Sequence, residues 1–276
     1  MLLTRSPQST ITELIPSPEV EPEAPRLGRR LAAVGLTSVV AISATLAATG
    51  TADAQPLGPT ASDRAVVIAQ DTFDRSVATG WGTSKVGGSY TISSKAGTSV
   101  RAGAGLVKAL AKGQLFTAGL MSAQAIDTTV RASVVIPKLP TRGGLYVSLG
   151  VRTQSNGSRY LLKAHVTPDG KVGLAFSRME AKVETFLGDE VPLTTKIKAG
   201  SRLTLIGEVS GTTAVTLKSA AAIGTAPPSQ WMATEVDSTA KRVATAGYVS
   251  ANLYLSTAST PVRVSLENLT AWRLNR

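Results

Sequence analysis

One histidine, eighteen carboxylates and no cysteine limit the chemistry open to this 276-residue chain. The absence of cysteine removes thiolate metal ligands, cysteine nucleophiles and disulfides together. His165 lies in the alternating segment YLLKAHV, where Leu161, Lys163 and His165 share one face of a strand and Leu162, Ala164 and Val166 the other. No serine motif can be tied to it, so it reads as a surface or rim histidine. Glu180/Glu184, Asp189-Glu190 and Glu235/Asp237 are the close acidic groupings, and only the last has the i, i+2 spacing that puts two carboxylates on one face of a strand. Its simpler reading is a loop with turn-capping carboxylates, and the chain is read as non-catalytic. Asp71 and Asp74 are a candidate calcium pair, since calcium takes carboxylate and carbonyl oxygens at loops; the competing role for Asp74 is bonding to local backbone and to Arg75. Of the large aromatics, Trp272 falls in the last alternating segment and reads as core. Trp81, between Gly80 and Gly82, and Trp231, beside Pro227-Pro228, are the rings that could sit at an exposed edge and stack on a ligand, with Tyr90 a third candidate ligand-binding ring.

The elements that must position these groups are strands. Residues 89–93, 128–136, 144–153, 160–166, 172–178, 183–187, 202–209, 213–218, 248–256 and 262–274 are rich in β-formers, several with period two, and turn residues separate most of them. Asn156-Gly157 and Asp169-Gly170 are the strongest hairpin signals, because primed turns need positive φ where Asn, Asp and Gly tolerate it. They predict an antiparallel meander of the third, fourth and fifth of these segments. Val107 to Lys112 and Ser122 to Ala125 could each supply one helical turn. The expected fold is all-β: a two-sheet antiparallel sandwich with its first and last strands close together.

The N-terminal third has a different character. Residues 1–30 are rich in Pro, Glu, Ser and Thr without apolar periodicity and read as a disordered polar leader. Arg29-Arg30 then lead into an apolar run, Leu31 to Ala48, which ends near Ala52-Asp53-Ala54. Positive flank, apolar centre and small residues before Gln55 make residues 31–54 a secretory signal with cleavage after Ala54. A twin-arginine signal and an uncleaved membrane anchor are the alternatives. Residues 55–69 read as a linker, and 70–276 as one domain in a secreted or envelope location. The formal charge is +11, and residues 55–276 hold 25 Lys and Arg against 13 Asp and Glu. That surplus suits acidic polysaccharide, wall polymer or anionic lipid headgroups more readily than nucleic acid, unless it serves solubility alone. Contact with a membrane is expected only through an uncleaved leader.

The opening Asp71-Thr72-Phe73-Asp74-Arg75, Gly80-Trp81-Gly82, Gly87-Gly88 and Tyr90-Thr91 resembles a D-x-F-x-R…G-W-G…G-G-x-[WY]-T pattern. This begins a secreted actinobacterial β-sandwich module of the concanavalin A-like, laminin-G-like class. The resemblance continues through Tyr160, Asp169-Gly170, Ala199-Gly200, Pro228, Trp231, Thr234, Asp237, Gly247-Tyr248 and Tyr254-Leu255-Ser256 to the last strand, and so covers residues 70–274. It departs at the Ala-rich Ser219 to Thr225, where such modules often carry a further Trp. The resemblance implies a jelly-roll and, in most of the class, a glycan-binding role, with adhesive and catalytic members; modules of this kind often carry a structural ion. Related catalytic sandwiches bear an E-x-D-x-E triplet on one strand, with the carboxylates across a glycosidic bond. This chain has none. The expectation is a non-catalytic module binding glycan or an acidic wall polymer, with no cofactor beyond a structural calcium ion. A structural or adhesive envelope protein, and a weak glycoside hydrolase or lyase, are the alternatives.

Overall fold

A computed structural model describes residues 55, 57–59, 65–180 and 182–275; the leader and signal expectations fall on residues 1–54, outside the described ones. Fifteen strands make up the fold: β1 (Val66–Asp71), β2 (Thr91–Ile92), β3 (Thr98–Arg101), β4 (Ala104–Leu110), β5 (Leu115–Ala125), β6 (Thr128–Val135), β7 (Leu145–Thr153), β8 (Arg159–Val166), β9 (Val172–Glu180), β10 (Val183–Pro192), β11 (Arg202–Ser210), β12 (Val215–Ile223), β13 (Ala233–Asp237), β14 (Gly247–Leu255) and β15 (Val262–Arg273). The first sheet runs β13-β12-β11-β6-β15-β4-β3, with β1 also on β15; the second runs β10-β9-β8-β7-β14-β5-β2. Every pairing between these strands is antiparallel, so the two sheets form a jelly-roll sandwich.

The meander read from the two turns is β7-β8-β9. Gly157 and Gly170 sit at φ 88° and 79°, and their amides donate to the carbonyls of Gln154 and Thr167 at 2.9 and 3.0 Å, closing turns that β-branched residues would strain. Alternation then sorts the side chains. Val147, Leu149 and Val151 of β7, Leu162, Ala164 and Val166 of β8, and Leu174 and Phe176 of β9 enter the core, where they meet Val134, Leu203 and Leu205 of the first sheet. The sheets approach closely at Gly207, where an added Cβ would lie 2.1 Å from Leu162 Cδ1.

The first and last strands pair directly, Val66 opposite Arg273 and Asp71 opposite Leu269. The fold therefore begins at Val66, inside the segment expected to be linker. Of the two stretches expected to give helical turns, Val107 to Leu110 belong to β4, with Ala111 and Lys112 in the turn after it, and Ser122 to Ala125 belong to β5; no described residue is in a helix. Their Ala, Leu and Lys favour a helix locally, but β4 and β5 are bonded to β15 and β14 along their length, and tertiary pairing overrides a weak propensity. Likewise β13, read as a loop, is an edge strand beside β12.

Buried polar side chains fix the ends of the sheets. Arg152, at the end of β7 and fully buried, donates to the carbonyls of Ile126, Val243 and Gly211 at 2.8, 2.8 and 2.7 Å. Asp237 accepts from Arg178 at 2.7 Å, from the Tyr160 hydroxyl at 2.8 Å and from the Thr239 hydroxyl at 2.7 Å. These bonds hold β13 and the following loop on the meander that carries the candidate site.

Candidate functional site

The outward face of the second sheet gathers the side chains that the core rejects. Cross-strand register lines them up in rows. Leu115, Tyr254, Tyr146 and His165 form one row across β5, β14, β7 and β8. Thr117, Asn252, Ser148 and Lys163 form the next. Gly119, Ser250, Gly150, Leu161, Ser177 and Phe186 form a third, and Arg159, Met179 and Glu184 a fourth. Bulky residues in the outer rows and Gly-Ser-Gly in the third leave a groove whose cavity measures about 210 Å³, lined by Tyr146, Tyr254, Arg159, Lys163, Glu184 and Asn252 among others. Gly150 is required here: a Cβ would lie 2.2 Å from Ser250 Oγ and 2.9 Å from Asn252 Nδ2.

Aromatic and charged groups interlock along this face. The Tyr146 ring lies parallel to His165 at 4.3 Å between centroids and 6.0 Å from Tyr254. Lys163 Nζ stands 4.9 Å from the Tyr146 ring centre and 4.5 Å from that of Phe186, within cation–π range. Glu184 bonds Lys163 Nζ and Ser177 Oγ, each at 2.6 Å, and Glu190 meets His165 Nδ1 at 3.1 Å. Asn252 takes a bond from Thr117 Oγ1 at 3.1 Å and gives one to Ser250 Oγ at 3.1 Å. Burial pushes the Glu184 carboxyl up, but the bonds from Lys163 and Ser177 outweigh it and hold the group below its ordinary range. The Tyr146 phenol is pushed up, by burial first and then by the Glu190 and Glu184 charges. The face thus offers ring surfaces, amide and hydroxyl groups for hydrogen bonding, and two cations beside an ionised carboxylate. Such a set suits a polar ligand with apolar faces.

No protein-family model matches the chain. No curated protein matches it. Solved structures resemble it at low identity. The carbohydrate binding module CBM66 from Bacillus subtilis is 16% identical, with 66% of this chain and 91% of that chain covered at a TM-score of 0.43. The beta-glucanase of Bacillus licheniformis is 12% identical, with coverages of 75% and 97% and a TM-score of 0.47. The CBM2 module of the evolved Dit of Lactobacillus casei BL23 phage J-1 is 7% identical, with 77% and 97% covered and a TM-score of 0.46. At these identities and scores none bears on what the chain binds.

The residues singled out from sequence lie elsewhere. Trp81, only 1% exposed, and Tyr90, 8% exposed, are in the core, packed with Phe73 and Phe116 at centroid distances of 5.2 to 6.1 Å. Neither can stack on a ligand, which corrects the edge position expected of Trp81. The flanking Gly80 and Gly82 sit at φ 80° and 66°, so they meet a backbone need and do not mark an open edge. Asp71 holds Arg75 through two bonds at 2.7 and 2.8 Å, Arg75 Nε donates to the Trp81 carbonyl at 3.1 Å, and Trp81 Nε1 donates to the Leu106 carbonyl at 3.3 Å. The D-x-F-x-R…G-W-G pattern is thus a clamp that seats an indole. Burial dominates the rise in the Tyr90 phenol as well, with Asp71 adding to it.

That clamp also occupies the candidate calcium ligands. Both Asp71 oxygens are taken by Arg75, while Asp74 is exposed and accepts from Thr72 Oγ1 at 2.6 Å. A cation would have to displace Arg75 and settle beside Lys85 in the same depression, so the pair does not fit calcium. Among the described residues no group of three or more His, Asp or Glu could hold a metal. Trp231 is half-buried in the segment leading into the edge strand β13 and is not among the residues lining the groove. Glu235 and Asp237 stand on β13 with Asp237 locked to Arg178, so they do not face each other across a cleft.

Sequence reading missed Tyr146, Arg159, Glu184, Asn252 and Tyr254 as a group, although it placed Lys163 and His165 on one face. The signal was available in part. In 144–153 and 248–256 one parity is almost wholly aliphatic while the other mixes Tyr, Ser, Gly and Asn, 160–166 puts Lys163 and His165 on one parity, and the predicted meander already placed 144–153 beside 160–166.

Proposed function

We propose that the outer face of the second sheet binds a glycan chain without transforming it, in a secreted or envelope setting. The observation that carries this reading is the pairing of Tyr146 and Tyr254 along a groove with Asn252, Ser148, Arg159 and Lys163. Sugars present C–H faces to aromatic rings and hydroxyls to amides and charged donors, and the groove supplies both. The paired state of Glu184 supports a non-catalytic role. Glycoside cleavage needs a carboxylic acid kept protonated, and the Lys163 and Ser177 bonds hold this one ionised. The excess of Lys and Arg supports a polymer of acidic character.

A structural or adhesive role is the second reading. It draws on the exposed apolar side chains of Val183, Phe186, Val191, Met232 and Val236 on and beside the edge strands β10 and β13. Glycan-array screening of the full chain beside a Tyr146→Ala, Tyr254→Ala double variant separates the two. The glycan reading expects retained folding and a loss of affinity of about tenfold or more. Unchanged binding in that variant, or no glycan bound by the parent, would leave the envelope-assembly reading in its place.

A further inference from the structure

This inference rests on the glycan-binding reading and narrows the class of glycan. The groove holds two cations, Lys163 and Arg159, on one strand and four residues apart. They are treated differently by their surroundings. Lys163 is neutralised by Glu184 at 2.6 Å. Arg159 is only 9% exposed and lines the cavity. One of its terminal nitrogens, Nη1, donates to the Gly157 carbonyl at 3.0 Å, while its Nε is enclosed and has no hydrogen-bond partner. Among the described residues Arg159 forms no ion pair. Burial is the largest influence on the guanidinium and lowers its pKa, with the neighbouring Tyr248 and Glu184 only partly offsetting it.

A buried guanidinium without a counter-charge is costly, and a buried donor without an acceptor adds to the cost. The missing charge is supplied by one group: a carboxylate, which takes charge-assisted N–H bonds from the terminal nitrogens of a guanidinium. A dianionic phosphate fits less well, because Glu184 stands in the same groove and repels it about twice as strongly as a single charge. We infer that Arg159 is the carboxylate anchor of the groove and that the bound glycan contains uronic acid residues.

This site differs from the other concentration of positive charge. Arg101, Lys108 and Arg263 surround a larger, open cavity of about 760 Å³ on the first sheet, and attraction there would track net charge and not the presence of a carboxylate.

The test titrates the full chain with polygalacturonate and alginate, and with the methyl ester of the first and the propylene glycol ester of the second, at about 0.15 M salt to screen long-range attraction. The parent should bind the acids about 10- to 100-fold more tightly than the esters. Arg159→Gln should bring acid binding down to the ester level while leaving the unfolding midpoint close to the parent's. Arg159→Lys should recover part of the preference, since it keeps the charge and loses the fork, and it stands in for Arg159→Gln if that variant does not fold. A Lys108→Ala, Arg263→Ala variant should keep the whole preference. Equal affinity of the parent for acids and esters overturns the inference, as does a preference that survives in Arg159→Gln or disappears in the Lys108, Arg263 variant. Neutral glycan bound with no preference for acids sinks only the Arg159 inference, whereas refusal of every glycan, neutral and acidic, removes the binding reading and this inference with it.

Discussion

Two aromatic clusters of similar geometry do opposite things in this molecule. Phe73, Trp81, Tyr90 and Phe116 pack at 5.2 to 6.1 Å and are closed off by the Asp71–Arg75 pair. Tyr146, His165 and Tyr254 pack at 4.3 to 6.0 Å and stay open to solvent, edged by Lys163, Glu184 and Glu190. What separates them is how their polar neighbours are used. In the first, arginine and aspartate satisfy each other and the Trp81 carbonyl, so burial is complete. In the second, cations and carboxylates line a groove, and one cation, Arg159, has no counter-charge and leaves its Nε unbonded. A distinctive sequence pattern around a tryptophan therefore marks the seating of the fold, while the site that meets solvent is drawn from ordinary strand positions.

The largest expected effect lies in the closed cluster. Trp81→Ala removes a fully buried indole and should cost about 3–5 kcal/mol of stability, read from urea unfolding with an unchanged slope. Tyr254→Ala, on the half-open cluster, should cost less than about 1 kcal/mol, in the range of surface substitutions. Equal losses from the two would erase the distinction between a core cluster and a groove cluster.

Next in size is a contrast between two carboxylates. Asp237 is buried among Arg178, Tyr160 and Thr239. Burial pushes its carboxyl up, but the bonds from those three groups prevail and hold it below the ordinary range. A depressed folded pKa contributes stability that is complete above the unfolded value, about 4, and that is lost as pH falls through the lower folded value. The unfolding midpoint should thus drop as pH falls below about 4, with Asp237 one contributor. Asp237→Asn should cost about 1–3 kcal/mol at neutral pH, since it removes the charge-assisted bond to Arg178 while Glu180 still pairs with that guanidinium, and should flatten that acid dependence. Glu184 is depressed in the same direction, yet a third of its side chain meets solvent. Glu184→Gln should therefore cost less than about 1 kcal/mol. An acid profile that is unchanged in Asp237→Asn would place the titrating carboxylates elsewhere.

How much of this could be read from the chain depends on whether the cause is local. Period-two alternation and the two turn pairs gave the meander β7-β8-β9 and the face shared by Lys163 and His165, because both are set within some twenty residues. β4 and β5 were missed because their Ala, Gly and Lys carry little β-propensity and distant partners in β15 and β14 hold them extended, while the four-residue β3 is too short to show alternation. The groove was missed for the same reason. Tyr254 reaches Tyr146 only because β14, a hundred residues on, inserts beside β7, and no spacing rule reports that. A tryptophan between glycines can be read as an exposed platform, yet its size also makes it the best filler of a core.

The smallest expected effect is also the one that tests where binding occurs. Trp231 is half-buried in the segment leading into β13, where the amide of the next residue, Met232, donates to the Ser219 carbonyl at 3.0 Å. Its ring is neither fully enclosed like that of Trp81 nor part of the groove on the second sheet. Trp231→Ala should then leave glycan affinity within about twofold of the parent, a few tenths of a kcal/mol, as measured on the same glycan panel as Tyr146→Ala, Tyr254→Ala. If instead Trp231→Ala lost as much affinity as the tyrosine variant while staying folded, the ligand would extend from the groove to the edge shared by β10 and β13. The exposed Phe186, Val236 and Met232 would then become part of one binding surface, and the line drawn here between a binding face and an apolar edge would have to be given up.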